Sequence, residues 1–186
     1  RGRRMSESAS GSTVVYLGLG SNLGDRRAHL AAAIEALGRA GIAVRRQSPL
    51  YETRPVGVVD QPPFLNAVVE AETTLAPHAL LATVKAIERA LGREPGPRWG
   101  PRVIDIDILL YGDLQIATRE PWLEIPHPQL WRRQFALTPL ADLRPDLRDP
   151  EGAPIRERLT RLRAAEGAMV WRYGADGEHH DPTHVS

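Results

Sequence analysis

The segment VIDIDILLY, residues 103–111, constrains the fold of this 186-residue chain more than any other stretch. It alternates aspartate with isoleucine, which is typical of a β-strand because successive side chains point to opposite faces of a sheet. The alternation places Asp105 and Asp107 side by side on one face, with Cα atoms about 6.5–7 Å apart. Four residues are expected to face a core on the other side: Ile104, Ile106, Ile108 and Leu110.

The aspartate face has an unusual composition for a solvated surface. Val103 and Leu109 share it, and three arginines, Arg93, Arg98 and Arg102, lie just upstream. Mg²⁺ prefers oxygen ligands and is commonly held by one or two carboxylates plus substrate phosphates. Arginine adds bidentate hydrogen bonds to phosphate. A solvent-facing polar strand is the alternative, but this context favours a metal-dependent site for phosphoryl-type transfer.

The order of the predicted elements indicates the fold class. In chain order they are a strand from Thr13 to Gly18, a helix from about Asp25 to Gly41, a strand from Ile42, a strand from Phe64, a helix from Pro77 to Gly92 and the aspartate strand. A loop at 49–63 with four prolines precedes Phe64. The order β-α-β-β-α-β is the ferredoxin-like, or split βαβ, pattern of α+β proteins.

The remaining residues complete one predicted domain over 13–172. A short strand pair is expected near Leu114–Ala117 and Leu123–Ile125, and a last helix from about Pro154 to Ala165. Residues 1–12 and 173–186 are expected to be a disordered leader and a disordered tail, because both are polar. Cysteine is absent and no apolar run reaches 18 residues, which favours a cytoplasmic protein without a membrane partner.

Several other residues have two interpretations each. The glycines of GLGSNLGD miss the G-x-G-x-x-G spacing, so a strand-to-helix turn is preferred to a phosphate loop. Asn66 beside Phe64 could bind a flat heterocycle, or the two residues could simply mark the edge of the hydrophobic core. His127, between two prolines, could stabilise charge on a phosphate or be structural. Phe135 and Trp99 are core residues unless a ligand stacks on them.

Three segments together resemble one family. They are YLGLGSNLGD, DQPPFLNAVV, and RWGPRVIDIDILLYGD followed by IPHPQLWRRQFAL, in order and at matching spacing between about Val14 and Leu147. They resemble the 6-hydroxymethyl-7,8-dihydropterin pyrophosphokinases of folate biosynthesis. The resemblance implies a three-layer α-β-α sandwich around the ferredoxin-like core. It also implies transfer of the β,γ-diphosphate of ATP to the hydroxymethyl oxygen of the pterin, with release of AMP.

The resemblance also implies roles for individual residues. Two Mg²⁺ ions would be held by Asp105 and Asp107, and the catalytic residues would be Arg93, Arg102 and Asp107. The pterin would be bound by Thr53, Val56, Gly57, Phe64, Asn66 and Phe135. ATP would be bound by Glu88, Arg93, Trp99, Arg102, Ile108, His127 and Arg133.

The sequence also predicts binding partners and leaves three alternative functions. ATP and 6-hydroxymethyl-7,8-dihydropterin are the expected partners of a monomeric protein, with no nucleic acid and no membrane. One alternative is a Mg²⁺-dependent phosphohydrolase or another ATP-dependent transferase. A second is a sheet that binds single-stranded RNA through exposed aromatic residues, although the strands lack the usual motif. A third is a catalytically silent pterin-binding relative, against which the intact aspartate pair argues.

Overall fold

The structure, a computed structural model, describes residues 11–54, 61–92 and 103–174. Within these ranges the chain forms eight strands, four α-helices and one short 3₁₀ helix at Leu130–Arg132. The strands are β1 Thr13–Ser21, β2 Ala43–Gln47, β3 Tyr51–Thr53, β4 Phe64–Thr73, β5 Asp105–Tyr111, β6 Ile116–Arg119, β7 Trp122–Ile125 and β8 Val170–Arg172. The α-helices are α1 Arg26–Arg39, α2 Pro77–Leu91, α3 Gln134–Leu143 and α4 Ile155–Glu166.

The main sheet is antiparallel and has six strands. Its order is β5-β1-β4-β3-β8, and β2 also pairs with β4. The strands β2 and β3 pair with different stretches of β4, so they serve as two halves of one neighbour. With that pair counted as one strand, the core has the ferredoxin-like order, which confirms the predicted α+β class. The strands β6 and β7 form a separate hairpin.

Two hydrophobic cores lie on opposite faces of this sheet. The first contains Leu37 of α1 and Leu80 of α2 packed against the strands. The second contains Leu137 of α3 and Leu159 of α4 packed against the other face. Helices therefore cover both faces of the sheet, and the three-layer arrangement is confirmed. No helix in the described ranges is long and apolar enough to cross a membrane.

The two predicted helices of the ferredoxin-like core begin and end at the expected signals. The Asp25 carboxylate accepts a hydrogen bond from the backbone N–H of Ala28 at 3.1 Å, which satisfies one of the free N–H groups at the start of α1. Gly41 follows α1 with a φ of 83°, a conformation that glycine adopts without strain. Pro77 opens α2, where its missing N–H leaves no helical hydrogen bond unmade.

A bulge in β5 corrects one predicted side-chain direction. The β1–β5 register shifts between Tyr16 and Leu17, which oppose Leu110 and Ile108, so Leu109 is the extra residue. A bulge places two consecutive residues opposite one residue of the neighbouring strand. Leu109 and Leu110 therefore both belong to the second core, and the prediction that Leu110 lies with the isoleucines was wrong.

Four elements depart from the sequence predictions. Tyr51–Thr53 forms β3 inside the segment predicted as a loop, because it pairs with both β4 and β8. The helix α3 and the strand β8 were not predicted at all. The strand β1 continues past Gly18 to Ser21, so Gly20 lies in a strand rather than in a turn.

Candidate active site

A cavity of about 310 Å³ lies between the sheet and the segment that leads into α3. Its floor is formed by the strands β1, β4 and β5, and its wall by residues between His127 and Ala136. Ten of the predicted site residues lie in the described ranges. The cavity brings eight of them together: Thr53, Phe64, Asn66, Asp105, Asp107, His127, Arg133 and Phe135.

Two glycines of β1 make room for the cavity. Gly18 and Gly20 both line it, because alternate residues of β1 face this side of the sheet. A Cβ atom at Gly20 would lie 3.1 Å from Oδ1 of Asn66 and 3.5 Å from the ring of Phe64. Gly20 is thus required by close approach. Sequence reasoning ended the predicted strand at Gly18 and placed Gly20 in a turn, although the spacing of two between these glycines within an apolar run was the available signal.

The two aspartates lie where the alternation predicted. Asp105 and Asp107 both line the cavity and pair with Gly20 and Gly18 of β1. Neither glycine has a side chain, so the carboxylates have open space beside them. Leu109 also lines the cavity and belongs to the second core, so one end of the cavity is apolar.

Glu88, on α2, lies outside the cavity and contacts the backbone of the aspartate strand. Its Oε2 atom accepts a hydrogen bond from the backbone N–H of Ile106 at 3.1 Å, and Ile106 lies between the two aspartates. Its Oε1 atom lies 3.0 Å from Nζ of Lys85. The structure therefore gives Glu88 a role in fixing the backbone of β5. Ile108 is buried in the first core, so only its backbone could contact a ligand at this strand.

The carboxylate pair fits a metal only in combination with a ligand. Among the described residues, no three histidine, cysteine, aspartate or glutamate side chains form a group that could hold a metal ion. Mg²⁺ commonly takes one or two protein carboxylates and completes its shell with phosphates and water. Asp105 and Asp107 can supply those two carboxylates, so they suit Mg²⁺ carried with a polyphosphate.

His127 is held in one orientation by backbone groups. The backbone N–H of His127 donates to the carbonyl of Leu109 at 3.1 Å. The ring Nδ1 atom accepts from the backbone N–H of Gln129 at 3.1 Å. Because Nδ1 is an acceptor, the neutral ring carries its proton on Nε2. Burial lowers the pKa of His127, and the nearby Arg133 lowers it further, against Asp107 and Glu124 which raise it. Around neutral pH the ring is therefore a neutral Nε2–H donor.

Arg133 and Phe135 enter the cavity from the start of α3. The Arg133 guanidinium lies 5.5 Å from the centroid of the Phe135 ring, a cation–π distance. Arg133 also occupies the N-cap position of α3, where its side chain makes no capping hydrogen bond. A helix N-terminus and a guanidinium both favour negative charge, so this end of the cavity suits a phosphate.

The opposite wall is a connected group of three residues. Thr53 and Phe64 are paired across β3 and β4, and Asn66 lies two residues beyond Phe64. The Asn66 side-chain amide donates to Oγ1 of Thr53 and, at 3.5 Å, to the carbonyl of Phe64. Asn66 is only 5% exposed, so it is a buried polar residue in the cavity lining. Its amide is held by these hydrogen bonds, and both Asn66 and Phe64 line the cavity.

The other predicted site residues lie outside the described ranges. They are Val56, Gly57, Arg93, Trp99 and Arg102. Conversely, sequence reasoning missed Leu130 and Gln61, which line the cavity. Leu130 is a buried apolar residue of the second core, and no pattern in the sequence distinguishes it from other core leucines.

Comparison with known proteins identifies the family to which the chain belongs. A sequence model of the family described as 7,8-dihydro-6-hydroxymethylpterin-pyrophosphokinase (HPPK) matches residues 16–145. A mitochondrial folate synthesis bifunctional protein of Arabidopsis thaliana is 51% identical over 129 residues, covering 69% of this chain and 23% of that protein. The chain thus spans about a quarter of the length of this relative.

A bacterial relative and a solved structure extend the comparison. The 2-amino-4-hydroxy-6-hydroxymethyldihydropteridine pyrophosphokinase of Methylorubrum extorquens is 48% identical over 151 residues, covering 81% of this chain and 94% of that protein. A Plasmodium falciparum HPPK-DHPS structure has a TM-score of 0.68 at 18% identity, covering 91% of this chain and 49% of that one, and supports the fold. The chain belongs to the HPPK family, as its sequence motifs predicted.

Proposed function

We propose that this chain transfers the β,γ-diphosphate of ATP to the hydroxymethyl oxygen of 6-hydroxymethyl-7,8-dihydropterin and releases AMP, as a step of folate biosynthesis. One observation carries the proposal. A single cavity holds a carboxylate pair, Asp105 and Asp107, and an aromatic-amide pocket built from Phe64, Asn66 and Phe135. The first suits a metal-bound polyphosphate and the second a flat heterocycle, and diphosphate transfer to a pterin needs both in one place.

The aromatic-amide pocket suits the pterin bicycle. Phe64 lies on β4 and Phe135 on α3, so the two rings come from opposite sides of the cavity. Stacking of a base on an aromatic side chain is worth about 1–3 kcal/mol, and a pterin has a comparable flat face. The fixed amide of Asn66 and the hydroxyl of Thr53 would form hydrogen bonds with the polar edge of the pterin ring.

The other end of the cavity suits the triphosphate. Mg²⁺, when bound between Asp105, Asp107 and the phosphates, supplies neutralisation of charge on the transferred group. Arg133 would contact phosphate oxygens, and the Nε2–H of His127 would donate a hydrogen bond to one. The attacking hydroxymethyl oxygen forms a bond to the β-phosphorus, the bond from that phosphorus to the bridging α-β oxygen breaks, and AMP keeps this oxygen. The hydroxymethyl proton leaves to solvent or a carboxylate.

The structure also bears on two of the alternatives. Recognition of RNA on a sheet needs an exposed face with aromatic residues, whereas α-helices cover both faces of this sheet. In the described ranges the one exposed large apolar side chain is Trp122, on the separate β6–β7 hairpin. A phosphohydrolase has no use for an aromatic-amide pocket next to the carboxylates. Both points support the transferase.

The test is nucleotide analysis by ion-exchange chromatography after incubation with ATP and Mg²⁺, with and without the pterin. AMP that forms only with the pterin, in equal amount to pterin diphosphate, is the expected result. ADP as the product, or nucleotide breakdown without the pterin, would contradict the proposal and support a phosphohydrolase or another kinase. A monomeric state, a cytoplasmic location and the use of two Mg²⁺ ions remain predictions, which light scattering, fractionation and metal titration can check.

A further inference from the structure

A short segment near the C-terminus contacts both walls of the cavity. It runs from Gly167 to Tyr173, contains β8, and lies beyond residues 16–145, which the family model matches. We call it the C-terminal strap. The strap itself lines no part of the cavity, and the sequence analysis predicted no role for it in the site.

The strap is tied to the Phe135 wall by one buried side chain. Gln134, the first residue of α3, is 4% exposed. Its Nε2 atom donates to the carbonyl of Gly167 at 2.9 Å and to Oε2 of Glu166 at 3.2 Å. Its Oε1 atom accepts from the N–H of Met169 at 3.2 Å. Gln134 lies between Arg133 and Phe135, so these bonds fix the backbone that carries both cavity residues.

The strap is tied to the Thr53 wall by backbone pairing and by one ring contact. Val170 of β8 pairs with Thr53 of β3. The N–H of Arg54 donates to the carbonyl of Met169 at 3.0 Å. The guanidinium of Arg54 lies 4.7 Å from the centroid of the Trp171 ring. These contacts hold the end of β3, where Thr53 lines the cavity and contacts Asn66.

Met169 joins the two sets of contacts. Its N–H is bonded to the side chain of Gln134, and its carbonyl is bonded to the N–H of Arg54. One residue therefore connects the start of α3 to the end of β3. A planar ligand that stacks between two walls requires their separation to be fixed. In a well-oriented site, a misplacement of about 1 Å can lower the reaction rate roughly 100-fold.

We propose that Gln134 is a positioning residue that acts through the C-terminal strap to set the spacing between the Phe135 and Thr53 walls, and thereby the affinity for the pterin. The proposal rests on the proposed function, because it concerns the pterin end of the same cavity. It predicts a larger effect on the pterin than on ATP, because Arg133 shares the backbone that the strap fixes, whereas the aspartates and His127 are held by β1, Glu88 and Gln129.

The test uses two substitutions, one at each end of the strap. Gln134→Met keeps the length of the side chain but removes its three hydrogen bonds, and Trp171→Leu removes the ring under Arg54. Both are expected to raise KM for the pterin about tenfold while KM for ATP changes less than about twofold. Calorimetric titration with the pterin, in the presence of Mg²⁺ and α,β-methylene ATP, should show the same rise in Kd.

The matched control is Tyr16→Phe, which removes a 2.5 Å hydrogen bond to Glu70 on the same side of the sheet without touching the strap. It is expected to lower the melting temperature but to leave both KM values unchanged. The proposal is overturned if Gln134→Met and Trp171→Leu leave KM for the pterin unchanged, or if Tyr16→Phe raises it equally. A wild-type protein that forms no pterin diphosphate overturns the proposed function instead.

Discussion

At the scale of single residues, the absence of side chains matters as much as their presence. Gly18 and Gly20 leave space on β1 directly beside Asp107 and Asp105. The same strand positions with larger residues would fill the cavity from its floor. The carboxylates and the open space next to them therefore come from one pattern, the alternation of two paired strands. The sequence predicts the carboxylate half of this pattern clearly, whereas the glycine half resembles an ordinary turn.

Replacing Asp107 by asparagine should abolish transfer and spare pterin binding. The loss of one carboxylate removes charge and a proposed metal ligand, so kcat is expected to fall roughly 10²–10⁴-fold, corresponding to several kcal/mol. The pterin Kd should change little, because Phe64, Asn66 and Phe135 do not depend on Asp107. Stopped assays for AMP and calorimetric titration measure the two quantities. A substantially active variant would show that the aspartate is structural.

Replacing Gly20 by alanine should weaken pterin binding more than the same change at Gly18. The new methyl group at position 20 would lie 3.1 Å from Oδ1 of Asn66, so the amide must shift. At position 18 it would lie 3.5 Å from Leu109, an ordinary contact with a flexible side chain. We expect KM for the pterin to rise about tenfold in Gly20→Ala and clearly less in Gly18→Ala. Equal effects would mean that contact with Asn66 is not the cause.

At the scale of elements, the sequence predicts those that have a regular pattern and local end signals. The helix α1 has a capping aspartate and a following glycine, and the first four residues of β5 alternate strictly. The helix α3 has neither. Eight of its ten residues are buried and Pro139 lies inside it, so it shows no polar face and contains a residue that disfavours helices. The strands β3 and β8 have three residues each, and only their pairing partners make them strands.

A network of polar side chains joins β1, β2 and β4 and reaches the C-terminal end of α3. The Glu70 carboxylate accepts hydrogen bonds from Arg46 at 2.6 and 3.1 Å and from the Tyr16 hydroxyl at 2.5 Å. Arg46 also donates to the carbonyl of Leu143, the last residue of α3, at 2.9 Å. The hydrogen bonds from Arg46, and then that from Tyr16, hold the pKa of Glu70 below its usual value, against burial, which raises it.

This lowered pKa predicts an acid-dependent contribution to stability. A depressed folded-state pKa gives stability that is complete above the unfolded value, about 4.3, and is lost as the pH falls through the folded value. Glu70→Gln should therefore lower the free energy of unfolding by about 1–3 kcal/mol at pH 7 and by less at pH 3. Urea unfolding at both pH values measures this difference. An equal difference at both would exclude the carboxylate's charge as the cause.

At the scale of the whole molecule, two cores share one sheet. Leu80 lies in the core under α2 and Leu137 in the core under α3, and both are fully buried. Because the same strands form a wall of each core, we expect the domain predicted over residues 13–172 to unfold in one cooperative step. The cavity lies on the side of the second core, which the ferredoxin-like pattern alone does not predict.

Leu80→Ala and Leu137→Ala are expected to lower the free energy of unfolding by about 2–5 kcal/mol each, the usual cost of a large-to-small change in a core. Each variant should still show a single transition, with fluorescence and circular dichroism changing together during urea unfolding. Two separated transitions in Leu137→Ala would mean that α3 and α4 form an independent layer. The cavity would then lie at a boundary that can open separately.

The central claim is that one cavity joins a pterin pocket to a diphosphate-transfer site. The most direct measurement is a crystal structure of the protein with Mg²⁺, α,β-methylene ATP and 6-hydroxymethyl-7,8-dihydropterin. We predict the pterin ring between Phe64 and Phe135, and the hydroxymethyl oxygen about 3–3.5 Å from the β-phosphorus, with Mg²⁺ bound at Asp105 and Asp107. A pterin bound elsewhere, or phosphates away from the aspartates, would contradict the account.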